Sequence, residues 1–282
     1  MATSVSSKAV PVSSPAQTAL GAACLLVEGV DCGPVQSIHG GELTAEVNTT
    51  NGPGSFPKKS VTNIKFMPIE LQIGFGMGQP LRRWIEKPMG ALEVKDGTVV
   101  MPDSKGEPRY FLTFQQAYIN EIGLPELDET ASDEGFLSLK LRPEVIKIGQ
   151  KEQCGYTQLD PKRRFVRSKF KLTLQDLDCT RVAKIDAFTL EQSLKDDAVG
   201  TSREPLLGDR SVVIPDLTLT FRDAQAGDSW IKWYKSWFIE GNHLEKDLKN
   251  GELLLLSDDG ARTLCKVELT GVGLYSYTGP EC

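Results

Sequence analysis

The chain repeats itself, and a duplication of this size fixes the architecture before any single motif does. Val30-Asp31-Cys32-Gly33-Pro34-Val35-Gln36-Ser37-Ile38 lines up with Leu177-Asp178-Cys179-Thr180-Arg181-Val182-Ala183-Lys184-Ile185, Cys32 and Cys179 standing 147 positions apart. Ile69-Glu70-Leu71-Gln72-Ile73-Gly74-Phe75 meets Leu217, Leu219 and Phe221 at a spacing of 146, and Trp84-Ile85 meets Trp230-Ile231 at the same spacing. Tyr110-Phe111-Leu112-Thr113-Phe114 then meets Cys265-Lys266-Val267-Glu268-Leu269, and Pro125 meets Pro280, at a spacing of 155. The growth in spacing reads as a loop insertion. A length of 282 residues suits two domains, each near the common size of about 140. The expected division is an N-terminal arm over 1–20, a first domain over 21–149, a linker over 150–164 and a second domain over 165–282, with one core in each.

Local patterns give each copy the order strand, strand, strand, helix, hairpin. Phe170, Leu172 and Leu174 alternate with Lys169, Lys171 and Thr173; Leu217, Leu219 and Phe221 alternate with polar residues, as do Ile69, Leu71, Ile73 and Phe75. Alternation of this kind marks half-buried strands. The period then turns helical: Trp230, Trp233, Tyr234, Trp237 and Phe238 form one broad aromatic face behind an Asp228 or Ser229 cap. The first-copy helix is shorter, with Pro80 in its opening turn, Leu81, Trp84 and Ile85 on one face, and Pro88 ending it. Asp258-Asp259-Gly260 reads as a tight hairpin turn, and residues 48–60, with Asn51-Gly52-Pro53-Gly54, as a loop. The predicted fold class is mainly β (α+β), two tandem β-barrel or sandwich domains each flanked by an α-helix.

Composition excludes several classes of function. A net charge of −6 gives a phosphate backbone no general attraction. The longest apolar run, Leu253–Leu256, is strand-sized, far below the roughly 18 residues of a membrane helix, so no membrane insertion is expected. The N-terminal stretch, with its scattered Ser and Pro and Glu28 directly after a short apolar patch, is not patterned as a Sec signal peptide. Cytoplasmic synthesis follows. Six cysteines without a CxxC pair read as reduced, mostly buried thiols. With only His39 and His243 in the chain, a histidine zinc site is poorly supplied.

The combination of a strand pair, a helix carrying Trp230-Ile231-Lys232-Trp233-Tyr234 and a hairpin ending in Tyr275-Ser276-Tyr277-Thr278-Gly279-Pro280 resembles the tail tube family of contractile phages and related injection systems. The likeness is densest from Leu217 to Pro280 and recurs from Ile69 to Ile148. It implies a β-barrel-like domain with a flanking helix, assembled into sixfold rings around a channel, with no cofactor and no catalysis. Implied partners are the chain itself, in rings of six or three chains, and other tube, baseplate or sheath proteins, with DNA or cargo only as channel contents. The chain departs from the family in carrying two domains. The second copy also shows no counterpart of Phe136 to Leu141 and Val145 to Ile148, so that its open edge needs cover from the 1–20 arm or a neighbouring chain.

No chemical motif competes strongly. Gly74-Phe75-Gly76-Met77-Gly78 lacks nucleotide-loop spacing and reads as a strand-to-helix loop. Lys162, Arg163, Arg164 and Arg167 could hold phosphate but read as a solvated linker or subunit contact, and Lys169 and Lys171 after them as the polar face of a strand. Glu126, Asp128, Glu129, Asp133 and Glu134 lack calcium-loop spacing and read as an exposed acidic loop. No Ser, His and Asp set can be nominated, so no catalytic, cofactor-binding or metal-binding residue is assigned. Trp84, Trp230, Trp233 and Trp237 are assigned to a core or subunit interface. The alternative function is a tandem β-domain binding module that uses these aromatics on a glycan or protein ligand.

Overall fold

The computed structural model describes residues 23–50, 58–87, 92–103, 107–149, 164–194, 210–222 and 228–278. The expected arm, nearly all of the expected linker, and Pro88, Cys154, Lys162, Arg163, Pro280 and Cys282 lie outside the described residues.

The first half is built around β1 (Ala23–Val27), which is buried along its whole length. A two-residue turn, Glu28 and Gly29 with φ of 52° and 77°, returns it into β2 (Val30–Gly40). Both turn residues being left-handed matches the twist of a tight hairpin. On its other side β1 pairs with β6 (Lys95–Pro102), and β6 with the 17-residue β7 (Pro108–Leu124). β2 pairs with β5 (Ile69–Ile73), whose buried and exposed residues alternate, and β5 pairs with β9 (Leu137–Arg142). β9 in turn pairs with β7, so the path β7-β6-β1-β2-β5-β9 returns to its first strand. This closed circuit of six strands leaves no free edge within itself. β10 (Val145–Gly149) pairs with the first half of β7. Helix α1 (Gln79–Glu86) follows β5, with Leu81 and Trp84 buried and Pro80 in its first turn.

The second half repeats four of these pairings, while among the described residues those of β9 with β5 and β7, and of β10 with β7, have no counterpart in it. β11 (Phe170–Leu174) pairs with β16 (Lys249–Leu256) as β1 does with β6, and β16 with β17 (Thr263–Val272) as β6 does with β7. The registers agree residue by residue: Cys24↔Val100 becomes Lys171↔Leu254, and Val99↔Leu112 becomes Leu253↔Val267. The bridge Leu174↔Leu177 stands where Val27↔Val30 does. β12 (Val182–Ile185) pairs with β15 (Leu219–Phe221) as β2 does with β5. Here the sequence alignment needs correction: Ile38↔Leu71 corresponds to Ile185↔Leu219, so β5 and β15 align at 148 rather than 146. A two-residue slip keeps every side chain on its face, which is why alternation alone could not detect it.

Helix α2 (Asp228–Tyr234) continues into a π turn, Lys235–Ile239, with Glu240 N–H donating to Lys235 O at 3.0 Å. The aromatic face therefore ends sooner than expected: the wider turn takes Phe238 off the packed side, and it is 46% exposed. The hairpin connection is also longer than the expected tight turn, running over 257–262 around the buried Ser257. The expected loop over 48–60 is narrower, because β3 (Leu43–Thr50) and β4 (Lys58–Phe66) form an antiparallel ribbon whose ends lie inside that span. Its second-half counterpart is β13 (Phe188–Leu194) with β14 (Arg210–Val213).

The two halves do not keep separate cores. One cluster of buried side chains takes in Leu25, Ile69, Phe114 and Leu139 together with Phe165, Ile185, Trp230 and Leu253. Among the described residues no helix is long and apolar enough to cross a membrane.

Candidate functional site

The repeated Asp-Cys motif builds the same device twice. The Asp31 carboxylate accepts from Gly33 N–H at 2.8 Å, and that of Asp178 from Thr180 N–H at 3.0 Å. The Cys32 thiol faces Val30 O at 3.4 Å, and the Cys179 thiol faces Leu177 O at 3.8 Å. Each turn receives the start of its helix. Gly78 N–H donates to Cys32 O at 2.9 Å; in the second half Asp178 N–H donates to Ser229 Oγ at 3.1 Å, and Trp230 Nε1–H to Asp178 O at 2.7 Å. Ser229 thus serves the Asp178 turn with its hydroxyl. Burial, first, and the Asp31 carboxylate, second, push the Cys24 thiol up to about 12, and burial likewise raises Cys32, Cys179 and Cys265. These are packed thiols with little thiolate at neutral pH.

Trp84, Trp230 and Trp233 are buried, and Trp237 packs half-buried against the same cluster. Trp230 meets Phe221 edge-on at 5.0 Å and Trp233 at 5.8 Å, and Trp237 follows at 6.0 Å from Trp233. Trp84 Nε1–H donates to Glu93 O at 3.0 Å.

The acidic loop and the basic run, which have no relation in the sequence, meet across the joint between the halves. Arg167 holds Asp133 in a two-point contact, Nε to Oδ2 at 3.0 Å and Nη2 to Oδ1 at 2.8 Å, and reaches Glu126 at 3.4 Å. Lys184 Nζ lies 2.8 Å from Glu126, Arg222 grips Glu129 with Nε at 2.9 Å, and Arg164 lies 3.3 Å from Glu134. The loop read as merely exposed is therefore the acidic side of a charged seam. Among the described residues no group of acidic, His or Cys side chains is placed to hold a metal. Backbone pairing accompanies the charges: Gly135 N–H donates to Phe165 O at 3.0 Å, and the buried Phe165 ring meets Phe75 at 4.8 Å.

Strand addition completes the joint. β8 (Leu127–Asp128) pairs with β12, and β13 pairs with the far half of β7 through Phe188↔Leu124, Thr189↔Gly123, Leu190↔Ile122 and Glu191↔Glu121. The second half's ribbon is thus laid on the first half's long strand. Equivalent surfaces elsewhere stay open. Among the described residues the β3–β4 ribbon pairs only with itself, and β17 pairs only with β16. Leu43↔Phe66 and Val47↔Val61 place apolar side chains on one ribbon face, where Leu43, Val47 and Val61 are exposed.

The chain is similar in structure to proteins of tail-like particles. It matches a chain of the sheath–tube complex of an extracellular contractile injection system, PVC, in its extended state, at 18% identity, over 46% of this chain and 89% of that one, with a TM-score of 0.41. It matches the tube-terminating cap of the anti-feeding prophage at 16% identity, over 53% and 100%, with a TM-score of 0.42. Hcp1 from Flavobacterium johnsoniae matches at 18% identity, over 48% and 99%, with a TM-score of 0.33. No family model and no curated protein matches the chain.

The seam makes its own prediction. The Arg167 guanidinium holds the Asp133 carboxyl below the usual carboxylate range, and Asp133 in turn raises Arg167. A carboxylate whose folded pKa is depressed contributes stability above its unfolded pKa, and that contribution is lost as pH falls through the folded value. Arg167→Met is expected to lower the urea midpoint at neutral pH, with the gap from wild type closing below the usual carboxylate range. Paired urea titrations across that range check it; a gap that persists in acid would detach the effect from the ion pair.

Proposed function

We propose that the chain is a structural subunit of a phage tail or a phage-tail-like contractile injection particle, serving in its inner tube, as tube initiator or as hub. Copies close into a ring of three or six chains around a central channel. One observation carries this reading: two equivalent units are joined by strand addition inside the chain, while among the described residues the same ribbon of the first unit and the same strand edge of the second have no strand partner. Open ribbons of two strands are weakly stable alone, and exposed edges invite pairing. A heterologous contact of this kind yields a ring when its rotation closes.

The proposal assigns the chain no reaction and no cofactor. Its partners are further copies and other tube, baseplate or sheath proteins, with DNA or cargo as contents of the channel; the chain is made in the cytoplasm and built into the particle. The binding-module alternative loses its platform, because three of its four aromatic anchors, Trp84, Trp230 and Trp233, are packed inside. Size-exclusion chromatography with light scattering, followed by negative-stain imaging, is expected to show rings or tubes with masses in multiples of three chains. A monomer or dimer at every concentration and salt condition would overturn the assignment.

A further inference from the structure

We infer that the contact between neighbouring molecules repeats the contact between the halves of one molecule, with the β3–β4 ribbon of one chain added to the segment after β17 of the next. This rests on the proposed assembly and specifies its joint. Inside the chain β13 is laid on Glu121–Leu124 of β7 in a register that centres on Leu190↔Ile122. The partners of that contact have exact counterparts, fixed by hydrogen-bonded registers rather than by sequence likeness. Thr44↔Lys65 of the first ribbon stands where Glu191↔Val213 stands in the second, which places Leu43 at the position of Leu190. Val99↔Leu112 stands where Leu253↔Val267 does, which carries Ile122 to Tyr277.

The pairs expected between molecules are therefore Glu42 with Thr278, Leu43 with Tyr277, and Thr44 with Ser276. Among the described residues neither side of this joint has a strand partner in the single chain: residues 273–278 take no regular structure and the ribbon has no third strand. Leu43 is 60% exposed, and the Tyr277 ring, 37% exposed, rests with one face against Tyr234 at 4.9 Å between centroids. Pairing would hide an apolar side chain and a ring from water while satisfying edge amides on both partners. The Lys184–Glu126 pair of the internal seam has no counterpart here, since Ser37 stands at the position equivalent to Lys184. Apolar contact and backbone hydrogen bonds must then hold the joint. First and second units alternate around one ring, so a ring of six positions takes three chains.

Directly opposed residues of antiparallel strands lie close enough for a disulfide. Leu43→Cys and Tyr277→Cys are made as separate full-length proteins, each also carrying Cys154→Ser and Cys282→Ser, then mixed, allowed to assemble and mildly oxidised. A covalent dimer is expected in the mixture and in neither protein alone. Val30→Cys replaces Leu43→Cys as the control, since Val30 is also exposed but lies away from the ribbon. Rings or tubes that form with no more covalent dimer than the Val30 control would overturn this joint and leave the assembly reading standing. No particles from the unsubstituted protein would overturn both.

Discussion

Replacing Trp230 with alanine is expected to destabilise the folded chain by about 3–5 kcal/mol, the range for deleting a large aromatic ring from a packed core. The ring is 5% exposed and is held between Phe221 and Trp233. Its removal leaves a cavity and also strips Asp178 O of its 2.7 Å donor. That carbonyl belongs to the repeated turn on which α2 docks, so the loss spreads from the helix to β12. Trp230→Phe keeps most of the buried area but not the donor, and should cost about 1 kcal/mol for the hydrogen bond. Trp233→Phe separates the two effects, because the buried Trp233 Nε1 has no hydrogen-bond partner among the described residues. Urea denaturation of the three variants checks the order Trp230→Ala, Trp230→Phe, Trp233→Phe. An unchanged midpoint for Trp230→Ala, combined with loss of a ligand, would return the aromatic helix to a binding role.

Much of this arrangement is legible in the sequence because duplication and alternation are both local signals. The Asp-Cys repeat, the alternation of Ile69 to Ile73 and the matched tryptophans mark equivalent strands and helices without reference to packing. What joins the halves is different in kind. Glu126 and Lys184, or Asp133 and Arg167, come together only once β8 and β13 have been added to strands of the other half. Neither run of charges contains information about the other, so each taken alone reads as a solvated surface. The β3–β4 ribbon escaped notice for a related reason: Asn51-Gly52-Pro53-Gly54 marks a connection clearly, but Thr- and Asn-rich flanks hide the strands beside it. The π turn could not be read because an aromatic spacing of three and four suits an ordinary helix equally well.

Alanine at Gly251 is expected to destabilise at or above the upper end of the roughly 1–3 kcal/mol typical of overpacking, with Gly97→Ala close behind. The two glycines are equivalent: Gly97 pairs with Val27 and Gly251 with Leu174, each at the last residue of its half's first strand. A Cβ on Gly251 would lie 2.1 Å from Thr173 O, and one on Gly97 2.6 Å from Leu26 O and 2.3 Å from Phe114 Cζ. Carbonyl oxygens cannot swing aside as a flexible side chain does, and the Phe114 ring is fully buried, so in both halves the neighbouring strand itself must move. Ordinarily Gly→Ala in an extended segment gains about 0.4–1 kcal/mol by restricting the unfolded chain; the steric cost outweighs it here. Displacing β1 or β11 disturbs the strands that carry β7, on which the second half's ribbon is laid, and β17, whose continuation is the edge proposed for a neighbour's ribbon. Loss of particle assembly is therefore expected to accompany the lower urea midpoint, even though neither glycine touches a joint. A variant as stable as wild type would show that the close approach relaxes at no cost; a destabilised variant that assembles normally would uncouple the strand pair from the edge it supports.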